Sequence, residues 1–247
     1  EDLLQRACKF HSHAIDLKPA CPSLSFDYAL TLLKLSEVTE QKEYLEKALF
    51  QLEQTLSTQN EAIMQHPEWL FNYAVALDMM GDTTEDNESY YHKATEIFHH
   101  VLLIDPDFPK IHLRMALSFS HIAELSGEKM DYDKSINAFQ MAIKQDPEDD
   151  IAWLEWGLTL ISQVQQSLYF SDKTQSYDEA EQKIIRAGQL GNQQSFYHLA
   201  CLYSLKNRLD EAMFFLKKAS ESEVLPSFEE MEEDEWLENL QTTEDYI

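Results

Sequence analysis

Five times along this chain, a short apolar run at helical spacing places a small residue in the middle of one face. The runs are Phe26-Asp27-Tyr28-Ala29-Leu30-Thr31-Leu32, Phe71-Asn72-Tyr73-Ala74-Val75-Ala76-Leu77, Leu113-Arg114-Met115-Ala116, Leu154-Glu155-Trp156-Gly157 and Tyr197-His198-Leu199-Ala200. A second helical segment follows each, with a small residue, a large apolar residue four later, and another residue, usually small, three beyond. Ala94, Phe98 and Val101 precede Asp105-Pro106, and Ser135, Phe139 and Ala142 precede Asp146-Pro147. Ala180, Ile184 and Ala187 lead to Gly188 and Gly191. Ala212, Leu216 and Ala219 close the series, and Ala48, Leu52 and Thr55 fit the first pair more loosely. Small residues let two helix backbones approach while the larger one fills the gap beside them, and proline or glycine stops the second helix.

A self-similar series of this kind predicts a stack of helix pairs. Composition agrees: 5 glycines and 7 prolines in 247 residues are too few for the turns of a β-sandwich or barrel. A 44% apolar content argues against disorder.

The residues resemble the tetratricopeptide repeat (TPR) family, whose pattern reads W-x2-L-G-x2-Y, then A-x3-F, then P. Phe196 through Leu199, Ala200 and Tyr203 to Ala212 matches without a gap, and Trp153, Trp156 and Gly157 match the opening of another copy. The first four pairs carry roughly 7 to 11 extra residues between their helices, enough for one more turn on each arm. Stretches such as Asp82 to Ser89 instead read as polar loops with a helix N-cap signal.

The resemblance implies an all-α, TPR-type α-solenoid of antiparallel helix pairs with a C-terminal capping helix. Residues 1–20 form a half-repeat, in which Ala7, His11, Ala14 and Pro19 reproduce the second-helix spacing. Residues 21–220 hold five helix pairs, and 221–247 hold an acidic capping helix and tail carrying Met231, Trp236, Leu237 and Leu240. A lone second helix would leave an apolar face without its partner, which predicts an upstream first helix, with a terminal cap as the alternative; the missing initial methionine points to a piece of a longer protein.

In TPR proteins the first helices line a concave face. By resemblance, two positions per first helix point into it: Phe26 and Leu30, Phe71 and Val75, Leu113 and Leu117, Leu154 and Leu158, Tyr197 and Cys201. The same spacing is equally that of core packing. Asn72, Lys110 and Arg114 fall where some co-chaperone TPR domains place part of a carboxylate clamp, although Phe26 and Leu30 replace its other members. Lys110 and Arg114 four apart read as one helix face, with ion pairs to Asp105 and Asp107 as the alternative use.

Charge narrows the partners. Acids number 45 against 19 bases, a formal charge of −26 that repels phosphate backbones and anionic lipid. Eleven acids and no base lie between Ala219 and Ile247, with Phe228, Trp236 and Tyr246 among them: a solvated cap face, a ligand for a basic partner, or a segment folded back over the groove. No nucleotide-binding or hydrolase motif occurs. His92, Glu96 and His99 share one helix face at metal-ligand spacing, against the plainer reading of a wet helix surface.

The expectation is a non-catalytic protein–protein interaction scaffold or chaperone, holding a peptide or amphipathic helix in an apolar concave groove. The alternative is a structural arm of a larger protein, or a homo-oligomer, with the groove covered by its own chain. No cofactor or metal is expected, nor nucleic-acid binding or membrane insertion. Cys8, Cys21 and Cys201 form no disulfide framework, which points to the cytoplasm or another reducing compartment.

Overall fold

The computed structural model describes residues 1–18, 21–57, 65–84, 87–166 and 173–243, and every regular element among them is helical. The chain divides into two compact units, Glu1–Ile122 and Ala123–Ile247.

The first unit holds α1 (Asp2–Leu17), α2 (Pro22–Thr39), α3 (Lys42–Leu56), α4 (Pro67–Asp82), α5 (Glu88–Ile104) and the greater part of α6 (Ile111–Ser126). Proline occupies the first turn of both α2 and α4, where its missing N–H costs nothing. Helix α2 packs on α1 and α3, and α4 packs on α5 and α3. The small-large-small spacing of α5 lies at the core: Ala94, Phe98 and Val101 are fully buried. Burial of Phe98 and Val101 stabilises the fold by about 1.5–3 kcal/mol each. On α1, by contrast, Leu3, Phe10 and Leu17 are 77%, 72% and 75% exposed. The expected turn at Pro19 lies outside the described residues.

The second unit holds α7 (Lys129–Gln145), α8 (Asp150–Gln166), α9 (Lys173–Gln189), α10 (Ser195–Leu205), α11 (Leu209–Glu221), α12 (Phe228–Glu233), a 3-10 turn (Glu235–Leu237) and α13 (Glu238–Gln241). Helix α8 packs on α7 and α9, and α10 packs on α9 and α11. The extra residues of the earlier pairs lengthen the helices: α8 and α9 have 17 residues each, against 11 and 13 in α10 and α11. Gly157 shows why a small residue recurs on the first helices. A Cβ there would stand 2.6 Å from Ile184 Cγ1 and 3.2 Å from the Ala180 carbonyl oxygen.

Both Asp-Pro stops act in the same way. Asp105 and Asp146 adopt extended backbone, as the residue before proline must, and each still donates its N–H to the last turn. Their side chains then accept from the N–H groups of Asp107 and Glu148. The N-cap expected before α5 is Asn87, which makes no side-chain capping bond, while Glu85 and Asp86 of that loop lie outside the described residues.

The capping helix differs from expectation. It is broken at Asp234, whose extended backbone ends α12 and whose carboxylate accepts from Trp236 N–H to start the 3-10 turn. Ser227 and Glu230 form a reciprocal capping box at the start of α12. Leu237 and Leu240 are fully buried against α10 and α11. Tyr246 lies outside the described residues.

Candidate partner-binding surface

In the first unit the proposed anchors separate by burial. Phe26, Val75 and Leu113 are buried, whereas Leu30, Phe71 and Leu117 are half-buried. The Phe26 ring stacks on Trp69 with centroids 4.9 Å apart, so it joins α2 to α4. Phe71 leans on Phe98 and Phe108, at 5.7 and 4.9 Å, and keeps part of its surface free.

Of the three polar residues, Asn72 stands on α4 and Arg114 on α6. Asn72 donates its side-chain amide to the Glu68 carbonyl at 2.8 Å, one turn back on its own helix. Lys110 is not on a helix face with Arg114, because it precedes α6 in a left-handed conformation at φ 59°. Its carbonyl accepts from Arg114 N–H at 3.1 Å.

A polar cluster that the sequence reading missed lies between α4, α5 and α6. Ser118 Oγ donates to Asp78 Oδ1 at 2.5 Å, and both residues are buried. His121 Nδ1 stands 3.8 Å from Asp78 Oδ1 and 3.7 Å from Asp82 Oδ1. Tyr91 donates to Asp82 at 2.7 Å and packs its ring on His121 at 4.7 Å. Burial holds the Asp82 carboxyl above its usual range, against the Tyr91 hydrogen bond. The signal in the sequence is a lone acid, Asp78, set within the apolar run from Tyr73 to Met80.

The histidine stretch is ordinary helix surface. His92 lies 3.5 Å from Glu88, and His99 Nδ1 contacts the Thr95 carbonyl at 2.7 Å. Among the described residues, no group of three or more His, Cys, Asp or Glu side chains could hold a metal ion. None of their helices is long and apolar enough to cross a membrane.

In the second unit Leu154 is buried at 2% exposure and Leu158 is half-buried. The face of α10 is covered by the chain itself. Tyr197 Oη donates to Asp234 Oδ2 at 2.6 Å, Cys201 Sγ lies 3.5 Å from the same oxygen, and Asn239 donates to the Ser204 carbonyl at 2.9 Å. Burial first, and the nearby carboxylate second, push the Cys201 thiol well up, which removes it as a nucleophile. Burial lowers the His198 imidazole to about 4, and its Nδ1 has no hydrogen-bond partner among the described residues.

Comparison with known proteins agrees with the all-α, helix-pair fold. The tetratricopeptide repeat model matches residues 193–223, the copy that reads without a gap. A search of curated proteins finds no match. Among solved structures, a tetratricopeptide repeat protein from Parabacteroides merdae superposes with a TM-score of 0.63 at 16% identity, covering 98% of this chain and 79% of its own. The thermophilic TPR protein TTC0263 from Thermus thermophilus gives 0.61 at 17% identity, covering 90% of this chain and 100% of its own. MamA from Desulfovibrio magneticus gives 0.55 at 19%, with 79% and 94% covered. Residues 193–223 thus match a tetratricopeptide repeat, and the described residues have the all-α fold of the solved TPR solenoids.

Proposed function

We propose that the chain is a non-catalytic scaffold that holds a peptide or an amphipathic helix of a partner protein against apolar residues of its first helices. The observation that carries this reading is that three of the five residues at one repeat position are half-buried and apolar, the other two, Val75 and Cys201, being buried. Leu30 and Leu117 hold that position in the first unit and Leu158 holds it in the second, with Phe71 adding a half-buried ring on α4. Each keeps area that a partner can cover, whereas Phe26, Val75, Leu113, Leu154 and Tyr197 have spent theirs on internal packing. Arg114 and Asn72, both half-buried, orient the ligand. Use as a chaperone, shielding an apolar client segment, is one form of the same chemistry.

Among the described residues, the alternative of self-coverage is favoured at the last helix pair, where residues 234–240 occupy the face of α10. There the chain supplies its own ligand.

Site-specific photo-crosslinking tests the proposal. A photoreactive residue at Leu30, Leu117 or Leu158 should trap one partner protein, while the same residue at Leu103, which is 84% exposed on α5, should not. Equal trapping at Leu103, or trapping nowhere, contradicts it.

A further inference from the structure

A cleft of about 500 Å³ opens in the first unit between α1, α2 and α3, away from the first-helix positions just described. Its volume is within the range of ordinary ligand sites, about 300–1,000 Å³. The floor is apolar: Ile15 and Tyr28 are half-buried, and Phe50 is 56% exposed. Phenylalanine at that exposure leaves a large apolar face in water, which a docking partner would remove.

The rim is charged, and its charges are unequal. Lys47 is the cation of the lining, and its ammonium is held by Glu43 at 2.6 Å and lies over the Tyr44 ring at 5.8 Å. Asp16 on α1 and Glu46 on α3 both line the cleft, and neither has an ion-pair partner among the described residues. The cleft therefore offers two carboxylates, one tyrosine ring and an apolar shelf, with its own cation already neutralised.

That combination selects a cation carried beside an apolar group. Arginine suits it better than lysine: its planar, weakly hydrated guanidinium can bridge two carboxylates and stack on an aromatic face. We propose that the α1–α2–α3 cleft is a docking surface for a basic-apolar segment of another protein. An arginine of that segment lies between Asp16 and Glu46, and the neighbouring apolar side chain rests on Phe50 and Ile15. This site is separate from the first-helix surface, so one chain holds two segments at once.

Fluorescence anisotropy on the full chain in 0.15 M salt tests it. The probes are a fluorescein-labelled peptide of sequence Leu-Arg-Ala-Leu-Arg-Ala and its counterpart with glutamate in place of arginine. The arginine peptide should bind and the glutamate peptide should not. The double variant Asp16→Asn/Glu46→Gln, and separately Phe50→Ser, should each weaken binding at least tenfold. Glu229→Gln/Glu232→Gln removes the same charge elsewhere and should change it less than twofold, as should Leu117→Ser. These side chains are exposed or half-buried, so circular dichroism should stay unchanged. Equal loss in both double variants means general attraction to an acidic chain and overturns the proposal. Loss confined to Leu117→Ser places the peptide on the first-helix surface and overturns it too, as does no binding.

Discussion

Tyr197 donates its hydroxyl to the carboxylate of Asp234 at 2.6 Å, joining the face of α10 to the acidic C-terminal segment 37 residues later in the chain. The bond is charge-assisted, and burial pushes the Tyr197 hydroxyl far above its ordinary value, so it stays a donor at any working pH. Asp234 thereby performs three tasks: it ends α12, caps the 3-10 turn and fixes that turn to the repeat. Tyr197→Phe and Asp234→Ala should each lower stability by about 1–3 kcal/mol. In urea titrations of both single variants and the double, the losses should fail to add by about 1 kcal/mol or more. Additive losses would mean that the two residues act independently.

His198 gives the fold a pH dependence of known sign. Its imidazole titrates near 4 in the folded chain against 6.5 when free, because burial penalises the charged form. As pH falls below 6.5 the unfolded chain takes up the proton first. The stabilisation is thus present above 6.5 and is lost as pH falls toward 4, a change on the order of 3 kcal/mol. His198→Asn should flatten the stability profile between pH 6.5 and 4 relative to the parent chain, as read by denaturant midpoints across that range.

Gly157 and Ile184 set how closely α8 and α9 approach. Gly157→Ala brings a methyl to 2.6 Å from Ile184 Cγ1 and should destabilise by about 1–3 kcal/mol. The close contact with the Ala180 carbonyl oxygen at 3.2 Å limits recovery. Ile184→Val removes only Cδ1 and keeps the clashing Cγ1, so in the same chain it should not restore the lost melting temperature.

Burial separates core from surface among residues that share one repeat position class. Leu154→Ala should cost about 2–5 kcal/mol by leaving a cavity. Leu158→Ser, on the same helix but half-buried, should cost much less and leave the helix content intact. Thermal unfolding of the two variants checks this, and equal losses would place Leu158 in the core.

The helix pairs were legible because burial repeats with the helical period. Ala180, Ile184 and Ala187 are all fully buried, as their spacing requires, and the Asp-Pro stops end α5 and α7 where they stand in the chain. Which apolar residue remains half-open was not legible. Leu154 and Leu158 lie one turn apart with equivalent patterns, and only packing against neighbouring helices tells them apart. Polar pairs between distant segments leave no local pattern either: Asp78 meets Ser118 across 40 residues. Lys110 and Arg114 have helical spacing, yet the left-handed turn at Lys110 takes it off the helix. The break at Asp234 was hidden for the same reason, since an acid among acids gives no sign of a cap.

Hydroxyl-radical footprinting of the chain with and without its cross-linked partner tests the central claim most directly. Leu30, Phe71, Leu117 and Leu158 should lose reactivity on binding, while Leu103 on α5 and Phe214 on α11 keep theirs. Protection of Leu103 and Phe214 with the four first-helix residues unchanged would contradict the account.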